Sequence, residues 1–312
     1  TLFKLSREHE VAVLELGTNR FGDIRWLTEI SKPTIAIYTT IGESHLECLK
    51  TPEGVLKEKL GLARFMAVDG KVILNLDNPY LAKVKSAQIR RKIIPFGCKS
   101  QAEFRASDEK LIDNQNLQFT VSGKYRMCLK TLSSENVYNA LAVIACARLL
   151  KISFKDIGKA LRRFQFPKGR QMIHKVDGFW VIDDTYNANP ISFKSAVMTL
   201  SRMKTEGRRI LVCADMLELG RQSEELHRQV GQLVGASPVD LVLSIGKFSK
   251  FISQEARSCH NRVAAYHFNS LLKLHKYLKD YCRSGDVILI KGSRGMHMER
   301  TVDFLLEKLN PH

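Results

Sequence analysis

The sequence predicts an α/β protein of two units, in which a domain with a mostly parallel sheet precedes a doubly wound, Rossmann-like carboxy-terminal domain. Short apolar runs alternate with amphipathic segments along the chain, most regularly after residue 178. Polar residues directly follow several of these runs, where open α/β sheets bind their ligands. The 312 residues, 44% of them hydrophobic, suffice for about two domains.

The first unit begins with a βαβ pattern. Apolar runs at 11–16 and 34–38 predict buried strands, with a helical segment from Ile24 to Ile30 between them. The elements that follow are predicted as a helix over 52–66 opened by Thr51 and Pro52, a strand over 71–75, short strands within 92–130, and a helix over 135–150. Because Thr1 is not a methionine and 11–16 resembles an interior strand, we expect the sequence to be a fragment without its amino-terminal part.

A linker is predicted over 164–178, because Pro167, Gly169 and Gly178 interrupt the pattern there. Beyond the linker, each predicted strand is followed by an amphipathic helix, and these strands are 179–183, 209–214, 240–245, 262–266 and 286–290. We therefore predict a domain boundary between residues 168 and 169, with domains 1–168 and 169–312.

Composition restricts the class of protein. The net charge of +17 is spread along the chain, and no helix-turn-helix, zinc-finger or aromatic RNA-binding signature accompanies it, so an anionic substrate explains it at least as well as a nucleic acid. Ordinary solvated surface is the simpler interpretation for most of the individual lysines and arginines. The seven cysteines are scattered without a CxxC pair, which argues against a disulfide framework and a zinc site. No apolar run approaches the ~20 residues of a membrane span. We expect a cytoplasmic monomer without membrane insertion.

The most informative segment is Asp183–Pro190, which places two carboxylates and two amides where a buried strand meets a helix. Such a junction at the carboxyl end of a parallel strand is a ligand site. A simpler interpretation is that Asp184 or Asn187 caps the helix that Pro190 opens. A cap alone requires fewer polar side chains than this segment has.

Two strands of the first unit also end in polar residues. Glu15 ends the first predicted strand and His45 follows the second, so a carboxylate and an imidazole could hold a divalent ion there, with Mg²⁺ favoured if phosphates share it. Lys59 follows on the next helix, where it also fits plain surface charge. His45 alone also fits a satisfied histidine at a helix start.

Five ordered segments then identify a family. They are Glu15–Asn19 with Gly22–Ile24, Ile41–Glu47, Asp183–Asn189, Ala214–Gly220 and Lys291–Gly295. With these motifs the chain resembles the Mur ligases, most closely the MurF type. The match spans nearly the whole chain, and five motifs in the family's order are specific, whereas any one alone would be weak.

The resemblance implies an ATP-dependent ligase of three domains: a UDP-sugar domain, a central ATPase and a carboxy-terminal dipeptide domain. On that scheme residues 1–168 are the central domain, incomplete at its amino terminus, and 169–312 are the carboxy-terminal domain. The implied reaction joins D-alanyl-D-alanine to UDP-N-acetylmuramoyl-tripeptide through an acyl phosphate, in peptidoglycan precursor synthesis. ATP and Mg²⁺ are the implied cofactors.

The same resemblance assigns residue roles. Glu15, His45 and Lys59 match metal ligands, and the lysine is carbamylated in many members of the family. Nucleotide contacts are implied for Asn136, Asn139, Arg170 and Asp184, and a part in catalysis for His45, Lys59 and Arg170. The dipeptide cleft is implied to be lined by Tyr186, Asn187, Asn189, Asp215, Glu218, Lys291, Ser293 and Arg294. A structural arginine at a helix start is the simpler interpretation of Arg294.

The chain departs from the family pattern in its phosphate-binding loop. No G-x-x-x-x-G-K-[ST] segment occurs in the sequence. We therefore expect that the chain as given does not catalyse substrate turnover. Glu135 and Ser133 stand where histidine and glycine are usual, Leu60-Gly61 follows the modified lysine in place of Gly-Glu, and Thr40 replaces an asparagine.

Two other functions fit the residues. A related ligase of the Mur or folylpolyglutamate type would share the ATPase residues and differ in the last domain, and a binding module without catalysis is the second possibility. A GKT loop upstream of Thr1 would distinguish the ligases from the binding module.

Overall fold

The computed structural model describes residues 2–42, 46–176, 178–259 and 263–308. The predicted metal ligand His45 lies outside these residues. Within the described ranges, no helix has both the length and the apolar character needed to cross a membrane.

The first sheet of the described residues has its strands in chain order. The strands are β1 (Ile35–Tyr38), β2 (Lys71–Asn75), β3 (Lys92–Gly97), β4 (Phe104–Leu111), β5 (Leu117–Val121) and β6 (Tyr125–Leu129). Strands β1 to β4 pair in parallel, whereas β4, β5 and β6 form an antiparallel meander.

Helices cover both faces of this sheet because its strands are apolar on both sides. The helices are α1 (Asp23–Ser31), α2 (Leu46–Leu49), α3 (Pro52–Lys59), α4 (Gly61–Phe65), α5 (Ser86–Ile89), α6 (Glu135–Leu149) and α7 (Phe154–Arg163). Val72 and Leu74 of β2 pack in one core with α3, α4 and α5, and Ile73 packs in another with α6 and α7. The predicted partly parallel α/β domain is confirmed.

Two predictions for the first unit were wrong in detail. Residues 11–16 form no strand, and the Val13 side chain is 87% exposed, because a strand exists only where a neighbour accepts its hydrogen bonds. The helix predicted over 52–66 breaks at Leu60. The Tyr38 hydroxyl inserts there, donating to the Lys59 carbonyl (3.0 Å) and accepting from the Ala63 amide (2.9 Å).

The second sheet is the doubly wound one. Its strands are β7 (Met172–Val176), β8 (Phe179–Asp184), β9 (Arg209–Ala214), β10 (Leu241–Ile245), β11 (Ala264–Phe268) and β12 (Val287–Lys291). Their spatial order is β11-β10-β9-β12-β8-β7, and each pairing is parallel except that of β7 with β8. Strand β11 begins two residues later than predicted.

Strand β7 corrects the predicted linker. The pattern predicts a linker over 164–178, but residues 172–176 pair with β8 as an edge strand of the second sheet. The two strands are close in sequence, and Gly178 adopts a positive φ of 77° between them, which favours a hairpin.

Five helices enclose the second sheet within the described residues. They are α8 (Pro190–Arg202), α9 (Ser223–Gly235), α10 (Ser249–Cys259), α11 (Leu271–Tyr281) and α12 (Glu299–Lys308). Leu211 and Cys213 of β9 pack with α8, α9 and α10, whereas Ile210 and Val212 pack with α11 and α12. Both faces are therefore buried, as the doubly wound prediction requires.

Candidate functional site

Three strands of the second sheet end side by side. Lys291, the last residue of β12, lies in register with Asp184 at the end of β8 and with Cys213 near the end of β9. The loops that follow these strands therefore share one edge of the sheet, where doubly wound proteins bind ligands. Sequence motifs that are about 100 residues apart thus come together.

The two carboxylates at the end of β8 have different partners. Asp183 accepts hydrogen bonds from the Gly169 amide (3.0 Å) and from the Thr185 hydroxyl (2.7 Å), so it fixes the chain that enters the domain against the loop that follows β8. Asp184 instead faces β12, where its Oδ2 lies 2.6 Å from the Lys291 ammonium group.

The Asp184–Lys291 pair is buried. The Lys291 side chain is 1% exposed and also donates to the Asn187 carbonyl at 3.0 Å. Burial raises the pKa of Asp184, and the attraction of the Lys291 ammonium group opposes this rise. The lysine predicted to contact substrate therefore has its charge held inside the domain.

The helix cap suggested by the sequence is formed by Asn189. Its Oδ1 accepts from the Ser192 amide (2.8 Å), and the Ser192 hydroxyl in turn accepts from the Asn189 amide (3.0 Å), which forms a reciprocal cap on α8. The simpler interpretation of the sequence places this cap at Asp184 or Asn187. Asn187 lies two residues before the capping position and accepts instead from the neighbouring Ala188 amide (2.8 Å).

Two arginine guanidinium groups lie near the ring of Tyr186. The Arg170 guanidinium lies 4.1 Å from the centre of its ring and that of Arg294 lies 5.8 Å away. All three side chains are exposed. The Tyr186 amide donates to the Gly169 carbonyl (2.9 Å), which holds the chain before Arg170 in place. The structure thus brings three sequence-predicted residues into one cationic surface suited to carboxylates or phosphates.

Asp215 shapes a neighbouring loop. Its carboxylate accepts from the backbone amides of Lys247 (2.8 Å) and Ser249 (2.7 Å) at the start of α10. Gly246 has a φ of 134°, and a Cβ there would lie 2.3 Å from an Asp215 oxygen. The carboxylate, predicted to line the cleft, therefore serves as an anchor for this loop.

Ser293 connects two of the loops. Its hydroxyl donates to the Ala188 carbonyl (3.2 Å) and accepts from the Leu217 amide (2.9 Å). The loops after β8 and β9 are thereby tied to the loop after β12. Glu218, in the same region, is exposed and adopts a positive φ of 64°.

His227 is a contributor that sequence reasoning missed. Its Nδ1 donates to the Ser223 carbonyl (2.5 Å) and its Nε2 accepts from the Met216 amide (2.9 Å), so it holds the start of the loop that carries Glu218. Burial lowers its pKa, which keeps the ring neutral as this pairing requires. A histidine on an amphipathic helix gives no sequence signal of this role.

In the first unit, Lys59 lies close enough to Glu15 to interact electrostatically. Burial lowers the pKa of Lys59, and the Glu15 carboxylate opposes that change. The adjoining Glu58, which sequence analysis did not select, is buried and accepts from the Ile24 (2.8 Å) and Gly22 (2.9 Å) amides. Glu58 thus ties the Lys59 helix to the turn that follows Glu15.

Asn136 and Asn139 lie together at the start of α6. The Asn136 amide donates to the Thr131 hydroxyl (2.8 Å), and Asn139 donates to the Asn136 Oδ1 (3.2 Å). Among the described residues, no three His, Cys, Asp or Glu side chains come together as a metal site.

Two family descriptions match the chain. The Mur ligase middle domain matches residues 1–147, and the domain described as Mur ligase, glutamate ligase domain matches residues 162–294. Residues 148–161, which precede the first strand of the second sheet, lie between the two matches.

Individual relatives agree with these matches. UDP-N-acetylmuramoyl-tripeptide–D-alanyl-D-alanine ligases of Bacillus subtilis (strain 168) and Escherichia coli (strain K12) are 31% and 32% identical to the chain, each over 98% of it and over 66% and 68% of their own lengths. A crystal structure of MurF from Acinetobacter baumannii superposes with a TM-score of 0.87 at 28% identity, covering 98% of this chain and 67% of that one. The chain spans about two thirds of the length of these relatives. The motifs, the fold and these similarities together show that the chain belongs to the Mur ligase family.

Proposed function

We propose that this chain supplies the ATPase residues and the dipeptide site of a ligase that adds D-alanyl-D-alanine to UDP-N-acetylmuramoyl-tripeptide. The observation that carries the proposal is its similarity, over 98% of its length, to relatives that bear this name. The cationic surface of Arg170, Tyr186 and Arg294 supports it, because the acyl phosphate is anionic and the dipeptide carries a carboxylate.

The proposed reaction has two steps. The terminal carboxylate of the tripeptide attacks the γ-phosphorus of ATP, which forms an acyl phosphate and releases ADP. The dipeptide amine then attacks the acyl carbon, and the tetrahedral intermediate collapses with loss of phosphate and of the amine proton. Negative charge accumulates in both steps, so fixed cations lower the barriers.

The residues around Lys59 suit a magnesium site that Glu15, His45 and a carbamate on Lys59 would form. When bound, Mg²⁺ would supply charge neutralisation for the phosphates. Support comes from the half-buried Lys59 beside the Glu15 carboxylate: its lowered pKa increases the fraction of neutral amine, the form that adds CO₂. The carbamate would add negative charge next to Glu15 and so favour a cation there.

Residues on different loops of the second sheet have different proposed roles. We assign Arg170 to the phosphates and Arg294 to the dipeptide carboxylate, with Tyr186 holding both guanidinium groups. Lys291 and Asp215 have their charges held within the domain, so we assign them to positioning the loops rather than to contacting the dipeptide. This revises the roles that the resemblance implied for these two residues.

The nucleotide contacts follow the resemblance. We propose that Asn136 and Asn139 contact the adenine side of ATP and that Asp184 lies near the ribose. Their support is position: both asparagines share the first turns of α6, and Asp184 ends β8 beside the chain that carries Arg170. Asn187, Asn189, Glu218 and Ser293 remain proposed walls of the dipeptide cleft.

Steady-state kinetics of the full-length protein, meaning one that spans the whole length of its relatives, test these assigned roles. Loss of the Arg294 guanidinium should raise the KM for D-alanyl-D-alanine by roughly tenfold to a hundredfold, the equivalent of one charge-assisted hydrogen bond. The KM for ATP should stay within about twofold. Arg300→Ala removes an exposed arginine of α12 and serves as the control. A change in the ATP constant alone would place Arg294 on the nucleotide side.

A related ligase that uses another amino acid is the second candidate. The description of the second family match as a glutamate ligase domain favours it. Parallel assays with glutamate and with D-alanyl-D-alanine distinguish the two candidates, since a glutamate ligase would leave the dipeptide unused. A protein that binds these ligands without ATP turnover would be a binding module.

A further inference from the structure

Helix α8 connects the site to the first unit along one of its faces. Ile191, Ser195 and Arg202 fall at helical positions i, i+4 and i+11, so their side chains lie on the same side of the helix. All three contact residues of the first unit. The contacts differ in kind between the two ends of the helix.

At the amino-terminal end the contact is apolar. A Cβ placed on Gly42 would lie 2.0 Å from the Ile191 Cδ1, so this glycine allows the isoleucine to pack directly against the first unit. Ser195, one turn further along, shares a hydrogen bond of 2.9 Å with Ser133.

At the carboxyl-terminal end the contacts are polar and multiple. The Arg202 Nη1 donates to Glu109 (3.0 Å), to the Ser134 hydroxyl (2.6 Å) and to the Leu132 carbonyl (3.2 Å). The Ser134 hydroxyl also donates to Glu109. The two N–H groups of this single nitrogen are thereby shared among three acceptors of the first unit.

A second set of hydrogen bonds lies beside the arginine. Asn114, in the turn between β4 and β5, donates to the Lys204 carbonyl (3.0 Å) and accepts from the Lys204 amide (3.0 Å). Leu111, on the same hairpin, packs against the cores of both units. The β4–β5 hairpin is therefore attached to the end of α8 by side chains and by backbone groups.

We propose that these contacts, the α8 latch of Glu109, Asn114, Ser134, Arg202 and Lys204, form a fixed pivot between the two domains. Domain motion then opens and closes the opposite, apolar end of α8, next to Asn189 and the cationic surface. The proposed ligase function is the reason why this position matters, so the inference rests on that function in part.

The length of α8 gives the pivot its effect. Its 13 residues extend about 20 Å, so a rotation of about 10° at the latch moves Asn189 by about 3.5 Å. Misplacement of a reacting group by about 1 Å lowers a rate by about a hundredfold. The latch residues are accordingly positioning residues, distant from the reacting atoms.

A distance measurement between spin labels tests the pivot directly. Labels are attached at Asp69→Cys and Asp280→Cys, one exposed position in each domain, after the exposed Cys48 and Cys259 are replaced by serine. We expect Arg202→Ala and Asn114→Ala each to broaden the distance distribution and to add a population at a different separation. Circular dichroism checks that each variant is folded.

Arg228→Ala is the matched control. Arg228 and Arg202 both have 33% exposed side chains, and each pairs with a glutamate, but Arg228 pairs with Glu224 and Glu255 within the second domain. It should leave the distribution unchanged. Equal broadening in this control, or an unchanged distribution in both latch variants, would overturn the pivot.

Kinetics of the full-length protein test the effect of the proposed pivot on catalysis. Arg202→Ala should lower kcat by roughly tenfold to a hundredfold, with the KM for ATP nearly constant. Arg202→Lys should restore part of the loss, because one ammonium group has three donors for the three acceptors of Nη1. An unchanged kcat despite a broadened distribution would refute the positioning role. If the parent enzyme adds no dipeptide, the proposed function fails, and the distance measurement still decides the pivot.

Discussion

At the scale of single residues, some side chains of the candidate site are exposed to solvent, whereas others hold the loops in place. Arg170, Tyr186 and Arg294 are exposed, whereas Asp184 and Lys291 are buried against each other. Sequence motifs do not distinguish the exposed side chains from the buried ones, because both kinds include charged residues that follow a strand end. Only the packing shows which charges have an internal partner.

The buried pair predicts a large change in stability. Lys291→Met leaves the Asp184 carboxylate buried without its cation, so it should lower the free energy of unfolding by about 3–5 kcal/mol. Urea denaturation measures this free energy of unfolding. Asp184→Asn combined with Lys291→Met should recover most of the loss, and Arg228→Met, which breaks a more exposed pair, should cost about 1 kcal/mol or less. A single-variant loss no larger than that of Arg228→Met would contradict the account.

Lys59 predicts a dependence on CO₂. In the full-length protein, removal of dissolved CO₂ and bicarbonate should lower the ligase rate, and bicarbonate should restore it, because the half-buried amine with a lowered pKa can form a carbamate. Lys59→Ala should lower the rate by orders of magnitude in both conditions. Lys57→Ala, an exposed lysine of the same helix, is the control. Full activity of Lys59→Ala would exclude the carbamate.

At the scale of elements, a single carboxylate links the first sheet to α6. Asp77, just after β2, accepts from the backbone amides of Cys98 (2.6 Å) and Lys99 (2.8 Å) and from the Tyr138 hydroxyl on α6 (3.0 Å). Burial alone would raise its pKa, but the backbone amides lower it to about 2. This arrangement holds α6, the helix of Asn136, against the ends of β2 and β3.

The lowered pKa of Asp77 predicts a dependence of stability on pH. Its folded pKa lies below its ordinary value of 3.8, so its ionised form stabilises the fold at pH values above 3.8, and this contribution is lost as the pH falls towards about 2. Asp77→Asn should therefore be less stable than the parent near pH 6, and the gap should narrow between pH 4 and pH 2. Urea denaturation at several pH values measures it, with the exposed Asp69→Asn as control. A gap that is constant with pH would show that the charge is irrelevant.

Most elements could be predicted because period and length suffice for buried strands and amphipathic helices. The exceptions have physical causes in distant residues. Residues 11–16 have a strand-like sequence but form no strand, the break at Leu60 depends on Tyr38 from another strand, and β7 depends on pairing with β8. Such interactions between elements are absent from a local pattern.

In the candidate site, too, features with a local sequence pattern could be predicted and interactions between distant residues could not. Its location at the carboxyl ends of β8, β9 and β12 could be predicted, since motifs follow each of those strands. The anchoring roles of His227 and Glu58 could not, because a buried histidine or glutamate on a helix has no recognisable spacing.

At the scale of the whole molecule, the two domains carry complementary parts of one proposed site. The first domain holds Lys59, Glu15 and the α6 asparagines, and the second holds the cationic surface. Ligation requires that both parts meet around one substrate, so the orientation set through α8 belongs to the function as much as the residues do.

Mass spectrometry of the product formed by the full-length protein tests this account most directly. With ATP, Mg²⁺, UDP-N-acetylmuramoyl-tripeptide and D-alanyl-D-alanine, we predict a nucleotide product that is heavier by one dipeptide residue, together with an equal amount of ADP. Omission of either ATP or the dipeptide should abolish the product. A product that carries glutamate or another single amino acid in place of the dipeptide, or ATP hydrolysis without any peptide product, would contradict the account.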